Sequence, residues 1–165
     1  MSISDMIVVM SAGIFQQMGK PQDVYDHPKN LFVAKFLGTP PINVFKGVVK
    51  KGAVLIGEEK ILSNPALSEM DGKEVFVGIR PEGFLCDNHV KEDEKVLTLN
   101  VDRIDTMGRD MLVVCSHDET ERKNAEIKMI IDSDIKLSPG ATKFALRPNK
   151  VFIFDGETEE RIYLQ

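Results

Sequence analysis

Two short stretches carry the side chains best suited to grip an anion. Val77-Gly78-Ile79-Arg80-Pro81-Glu82 and Phe144-Ala145-Leu146-Arg147-Pro148 each run an apolar segment into Arg-Pro. An apolar run resumes soon after each, at Phe84-Leu85-Cys86 and at Val151-Phe152-Ile153-Phe154. The planar fork of arginine suits carboxylates and phosphates. Arg80 and Arg147, with Pro81, Glu82 and Pro148 beside them, are therefore the candidate interface or regulatory residues. The plain alternative for both cations is a salt bridge or a hydrogen bond to a nearby carbonyl. Other chemistry is not supported by spacing. His27, His89 and His117 have no second His or Cys at ligand distance in sequence, so no metal site is expected. No Ser–His–acid set can be placed. Glu92-Asp93-Glu94 and the acidic run from Glu157 to Glu160 read as solvated loops. Cys86 and Cys115 form no C-x-x-C pair, which with no export signal implies a reducing, cytoplasmic setting. Cys115, inside the apolar run from Met111, reads as a small core residue.

The elements that position these residues are strands. From residue 42 onward, strand-like runs arrive at short, regular spacing. They read as Asn43 to Lys50, Ala53 to Ile56, Lys60 to Leu62, Lys73 to Arg80, Lys95 to Met107, Met111 to Ser116, Ala125 to Ile131, Lys143 to Arg147, Val151 to Asp155 and Arg161 to Leu164. Turn text separates them, such as Lys51-Gly52, Asp71-Gly72 and Ser138-Pro139-Gly140. Many short strands at this spacing predict an all-β barrel or sandwich. Proline cannot continue a central ladder, so each Arg-Pro marks a strand end, and the two copies predict a pseudo-symmetric β domain. Pro65 to Met70 predicts one helical turn.

Composition is that of an ordinary globular chain: 165 residues, 42% hydrophobic, 28% charged, net charge −5. The acidic balance argues against nucleic acid, whose binders carry a basic face. No apolar run approaches the roughly 18 residues that would span a membrane.

The first 41 residues differ in texture. Ile7 to Met10 and Ile14 to Met18 flank Ser11-Ala12-Gly13, a hairpin signal. Pro21 suits the first position of a helix from Gln22 to His27, which Pro28 ends. Asn30 predicts the cap of a second helix, Leu31 to Leu37, closed at Gly38. The wording of this stretch closely resembles the end of the nucleotide-binding domain in ATPase subunits of carbohydrate-type ABC importers, those serving maltose, glycerol-phosphate and multiple-sugar uptake. The residues that carry the likeness include Asp5, Ile7, Val8, Val9, Met10, Gly13, Gln17, Gly19, Pro21, Val24, Tyr25, Pro28, Phe32, Val33, Ala34, Phe36, Leu37 and Gly38. Later text resembles the same subunits' regulatory domain of oligonucleotide-binding-like (OB-like, or TOBE) β barrels. Gly78-Ile79-Arg80-Pro81-Glu82 matches its G-[IL]-R-P-E. Asp105 to Val113 is similar to its E-x-x-G-x-x-x-x-[IV], with Asp105 where Glu is common.

The resemblance implies a mainly β chain in two parts: residues 1–41 as the end of an ATPase domain, and residues 42–165 as an OB-like regulatory and dimerisation domain. It implies a homodimer, permease subunits reached through the ATPase domain, a possible regulatory protein, and a place on the inner face of the cell membrane. ATP and magnesium would belong to the parent subunit. The phosphate loop G-x-x-x-x-G-K-[ST] is absent here, since Pro21 follows Gly19-Lys20 and Glu74 follows Gly72-Lys73. The family's L-S-G-G-Q signature and the Asp-Glu strand end are absent too. The chain is thus expected to be a C-terminal, non-enzymatic portion with no cofactor of its own. The alternative is a small-oxyanion or nucleic-acid binding OB-type module. Without the ATPase domain, Ile7, Val9, Phe15, Phe32 and Phe36 are expected to lose a covering surface. The hairpin is then expected to be swapped between chains, lattice-packed or disordered.

Overall fold

A computed structural model describes residues 5–86 and 96–164. His89 and the run Glu92-Asp93-Glu94 lie outside the described residues. The chain opens with an antiparallel hairpin, β1 (Ile7–Ser11) and β2 (Ile14–Gly19). The loop is two residues rather than three: Ala12 and Gly13 both have positive φ, 50° and 78°, as a type I′ turn requires. Pro21 opens α1 (Pro21–Asp26), and the Asn30 side chain caps α2 (Leu31–Phe36) by accepting the Val33 N–H at 2.9 Å. Val9 packs with Val24 of α1 and Val33 of α2 in a small core, with Ile7 and Leu37 against it.

This packing corrects one expectation. Val9 keeps a full cover, because the two helices fold back beneath the inner face of the hairpin. The other face is bare, with Val8, Met10, Ile14, Phe15 and Met18 each more than half exposed. Phe32 and Phe36 are also exposed, stacked on one another with ring centroids 6.2 Å apart.

Among the described residues, eleven further strands form two antiparallel sheets. They are β3 (Asn43–Lys50), β4 (Ala53–Ile56), β5 (Glu59–Ser63), β6 (Glu74–Ile79), β7 (Phe84–Leu85), β8 (Val96–Met107), β9 (Asp110–Ser116), β10 (Ile127–Asp132), β11 (Gly140–Leu146), β12 (Val151–Asp155) and β13 (Arg161–Ile162). One sheet runs β13-β12-β6-β3-β4-β5, and the other β10-β9-β8-β11-β7. Alternation does the sorting. Leu97, Leu99 and Val101 of β8 face inward with Ile127, Met129 and Ile131 of β10, and with Phe45, Val77 and Phe144 they fill the main core. A smaller core on the outer face of the six-stranded sheet packs Leu31 and Ala34 of α2 against Ile42, Phe152 and Phe154.

The two Arg-Pro segments are where the chain changes sheets. β6 ends at Ile79, and Pro81–Gly83 makes a single 3-10 turn that hands the chain to β7 of the other sheet. β11 ends at Leu146, and Pro148–Lys150 makes the matching turn back to β12. Each strand before a turn pairs with the strand after the other turn: Ile79 with Val151, and Leu146 with Phe84. The expected pseudo-symmetry is therefore an exchange of strands, and it interlocks the two sheets.

Asp155, at the end of β12, ties the rim of the six-stranded sheet. Its carboxylate takes Lys73 Nζ at 2.6 Å and the backbone N–H groups of Glu157 and Thr158. These donors, Lys73 foremost, hold its carboxyl at about 2, against an ordinary 3.8. A lowered folded-state value means this stability is present above the ordinary value and is lost as pH falls through about 2. Urea midpoints taken above and below that window should show a smaller acid loss for Asp155→Asn than for the unaltered chain. Equal losses would show that Asp155 contributes nothing to the acid limb.

Candidate functional site

Arg80 leaves the end of β6 with its side chain completely buried. Its Nη1 donates to the carbonyls of Ala34 at 2.8 Å and Leu37 at 2.9 Å, and its Nη2 to that of Tyr25 at 2.8 Å. All three acceptors belong to the last turns of α1 and α2, where a helix leaves its carbonyls without internal partners. The Tyr25 ring lies 3.9 Å from the guanidinium carbon and the Phe152 ring 5.7 Å away. Nε is buried without a partner. Burial pushes the guanidinium below its ordinary value, while Tyr25, Glu82 and Asp26 pull the other way.

Around this cation sits a collar of polar and charged contacts. The Tyr25 hydroxyl donates to Glu82 Oε1 at 2.6 Å. Burial, and then Glu82, push the Tyr25 hydroxyl well above its usual range, so it stays protonated and keeps donating. Lys150 Nζ lies 3.6 Å from Asp26 Oδ1 and 3.5 Å from Glu82 Oε1. Gly38 makes room: its φ is +111°, and a methyl group there would stand 3.2 Å from the Tyr25 ring and 3.3 Å from the Pro40 carbonyl.

All five candidate residues fall in the two paired turns, on different terms. The turns bond one another, Arg80 N–H to the Lys150 carbonyl at 3.1 Å and Arg147 N–H to the Gly83 carbonyl at 2.8 Å. Pro81 is buried and Glu82 half-buried, while Arg147 and Pro148 are exposed. The Arg147 side chain reaches back, its Nε donating to the Glu82 carbonyl at 3.1 Å. The site's other members, Tyr25, Asp26, Gly38 and Lys150, were not picked out as site residues by sequence reasoning. Tyr25 and Gly38 are among the residues that carry the family likeness, and that was the one signal that marked them.

A second feature is a cleft of about 560 Å³ between α2 and the barrel, bordered by Lys35, Asn43, Thr120, Arg122 and Lys128. Asn43 is buried at its edge and joins the two sheets. Its Nδ2 donates to the Lys128 carbonyl at 2.8 Å, and its Oδ1 accepts the Lys128 N–H at 2.9 Å. Lys35 reaches Glu121 at 2.7 Å along the same cleft.

Among the described residues, the Gly19-Lys20 pair does not form a phosphate-binding loop. Gly19 closes a strand and Lys20 precedes a helix of one and a half turns, without a phosphate-cradling loop between them. Among the described residues no three His, Cys, Asp or Glu side chains gather where they could hold a metal ion. The donors of the Arg80 cluster go to carbonyls and carboxylates, so the chemistry it offers is fastening.

Loss of the guanidinium in Arg80→Met strands one buried and two part-buried carbonyls, at about 1–3 kcal/mol each when unrelieved, so a destabilisation of about 3 kcal/mol is expected in urea. Arg147→Ala, at an exposed position, should cost about 0.5 kcal/mol or less. Similar costs for the two would remove the distinction drawn between them. Gly38→Ala should also destabilise, since its backbone conformation and the Tyr25 ring both oppose a side chain.

Comparison with known proteins gives this geometry relatives. Residues 38–84 match the model of the MalK OB fold domain. The sn-glycerol-3-phosphate import ATP-binding protein UgpC of Jannaschia sp. is 30% identical over 162 residues, covering 98% of this chain and 43% of that protein. The oligosaccharides import ATP-binding protein MsmX of Bacillus subtilis is 33% identical over 171 residues, covering 98% of this chain and 46% of that one. UgpC of Escherichia coli is 28% identical over 166 residues, covering 98% and 44%. The chain thus spans less than half the length of the curated relatives it matches. A solved molybdate-bound ModG has a looser likeness, with a TM-score of 0.47 at 20% identity over 67% of this chain and 94% of that one, too low to support an argument. With its mainly β build and its Arg80 turn lying inside the matched segment, the chain is similar over nearly its whole length to part of the ATP-binding subunits of sugar-type ABC importers, and it carries a match to the MalK OB fold domain.

Proposed function

We propose that the chain is the regulatory and dimerisation portion of an importer's ATP-binding subunit, without hydrolytic activity of its own. The observation that carries this reading is the contrast between its two surfaces. The barrel is finished, with a filled core. The hairpin is finished on one face only, and its outer face presents Val8, Met10, Ile14, Phe15 and Met18 to solvent. A bare apolar sheet face of this kind marks a contact. The relatives are more than twice as long, and in a subunit of that length the remainder would supply a body to cover it. That body would hold ATP and magnesium and would meet the permease subunits at the inner face of the membrane. No helix among the described residues is long and apolar enough to cross a membrane. The barrel would hold two subunits together, keeping each ATPase half at high local concentration near its partner through the catalytic cycle. A regulatory protein would act by favouring one arrangement of the pair. The net charge of −5 gives the nucleic-acid reading no support.

Light scattering on the chain and on a Val8→Lys, Met18→Glu variant separates the parts of this reading. The expected result is twice the 18.5 kDa chain mass for both proteins, since the dimer contact lies on the barrel. A dimer lost in the variant would place self-association on the bare hairpin face. A monomer throughout would remove the dimerisation role and leave the barrel as a docking surface.

A further inference from the structure

The Arg80 cluster joins two bodies of unequal strength. The N-terminal unit, the hairpin with α1 and α2, has a core of only Val9, Val24 and Val33. A core that small does not hold a unit by itself. The unit offers the cluster mainly acceptors: the carbonyls of Tyr25, Ala34 and Leu37, and the Asp26 carboxylate. The barrel supplies the cations, Arg80 and Lys150, and Glu82 as brace for the Tyr25 hydroxyl. Other contacts cross the seam. Leu31 and Ala34 pack on Phe152, and backbone bonds run from Leu31 N–H to the Glu159 carbonyl and from Arg161 N–H to the Lys29 carbonyl. These are an apolar patch and single ladder bonds, and the Lys35–Glu121 ion pair at 2.7 Å adds a half-exposed contact at the rim. Among the described residues, Arg80 is the one side chain that bonds to the ends of both helices, and it does so from inside the barrel's own framework at the sheet-changing turn.

We propose that Arg80 is the lock that makes the N-terminal unit and the barrel one cooperative body. With the lock closed, the unit opens only when the barrel's adjoining strands β6 and β12 open. A partner on the bare hairpin face and a partner on the barrel then act on the same equilibrium and are energetically coupled. With the lock broken, the unit detaches by a local opening while the barrel stays folded. The lock rests on geometry within this chain and stands whether or not the chain dimerises.

Native-state hydrogen exchange across a denaturant series tests this on the full 165-residue chain. In the unaltered protein, the amides of Val33 and Ala34 should exchange through the same denaturant-dependent opening as those of Val77 and Phe152. In Arg80→Gln the unit's amides should exchange about tenfold faster or more than the barrel's, by an opening only weakly sensitive to denaturant, while Val77 and Phe152 lose less protection and keep a denaturant-dependent opening. Arg147→Gln should alter neither group. The unaltered chain decides the matter even if Arg80→Gln does not fold. Exchange of Val33 and Ala34 by an opening of their own, separate from β6 and β12, would overturn the lock. So would a variant in which unit and barrel lose protection equally.

Discussion

A guanidinium with no exposed surface must find its acceptors inside the protein, and this requirement organises the molecule around Arg80. The strand that carries it cannot supply them, because its own carbonyls are spent on the sheet. Two short helix ends can, since the last carbonyls of a helix have no internal partner. Neither helix, at six residues, would hold its shape alone in water. The cation needs the helix ends, and the helices need a body to lie on. Gly38, in its left-handed conformation, lets the chain turn closely enough past Tyr25 for the arrangement to close.

The same turn does a second task. Arg80-Pro81 and Arg147-Pro148 are the two places where the chain leaves one sheet for the other, and each turn's N–H is accepted by the other turn. Proline suits this position, since it ends the ladder and presets the 3-10 turn that follows. Similar local text therefore yields similar local structure. The two arginines diverge for a reason outside either copy. One lies under the N-terminal helices and is buried, while the other faces solvent. Burial converts one into a fastener and leaves the other with a single bond to the Glu82 carbonyl.

This explains what was legible in the sequence. Strand positions were readable because alternation and turn glycines are local, and β3, β4 and β12 fall where the pattern put them. The Asn30 cap and the Pro21 helix start were readable for the same reason. Sheet order was not, because the exchange of strands at the Arg-Pro turns depends on pairings between segments about 70 residues apart, which no local pattern encodes. The burial of Arg80 was hidden likewise. Its acceptors lie more than 40 positions away and are backbone carbonyls, which carry no side-chain signal. Val9 was misjudged because its cover comes from the helices just after it rather than from a missing domain.

The functional picture follows from one body with a filled core and one attached unit with an open apolar face, both joined at a buried cation. The most direct measurement is a double-mutant cycle between Arg80→Gln and Tyr25→Leu, read as unfolding free energy. A fastening contact, in which the ring and the guanidinium stack 3.9 Å apart, gives a coupling of about 1–2 kcal/mol. Additive losses, with coupling below about 0.3 kcal/mol, would contradict a join made through the Tyr25 ring and leave the three carbonyl bonds alone to carry it.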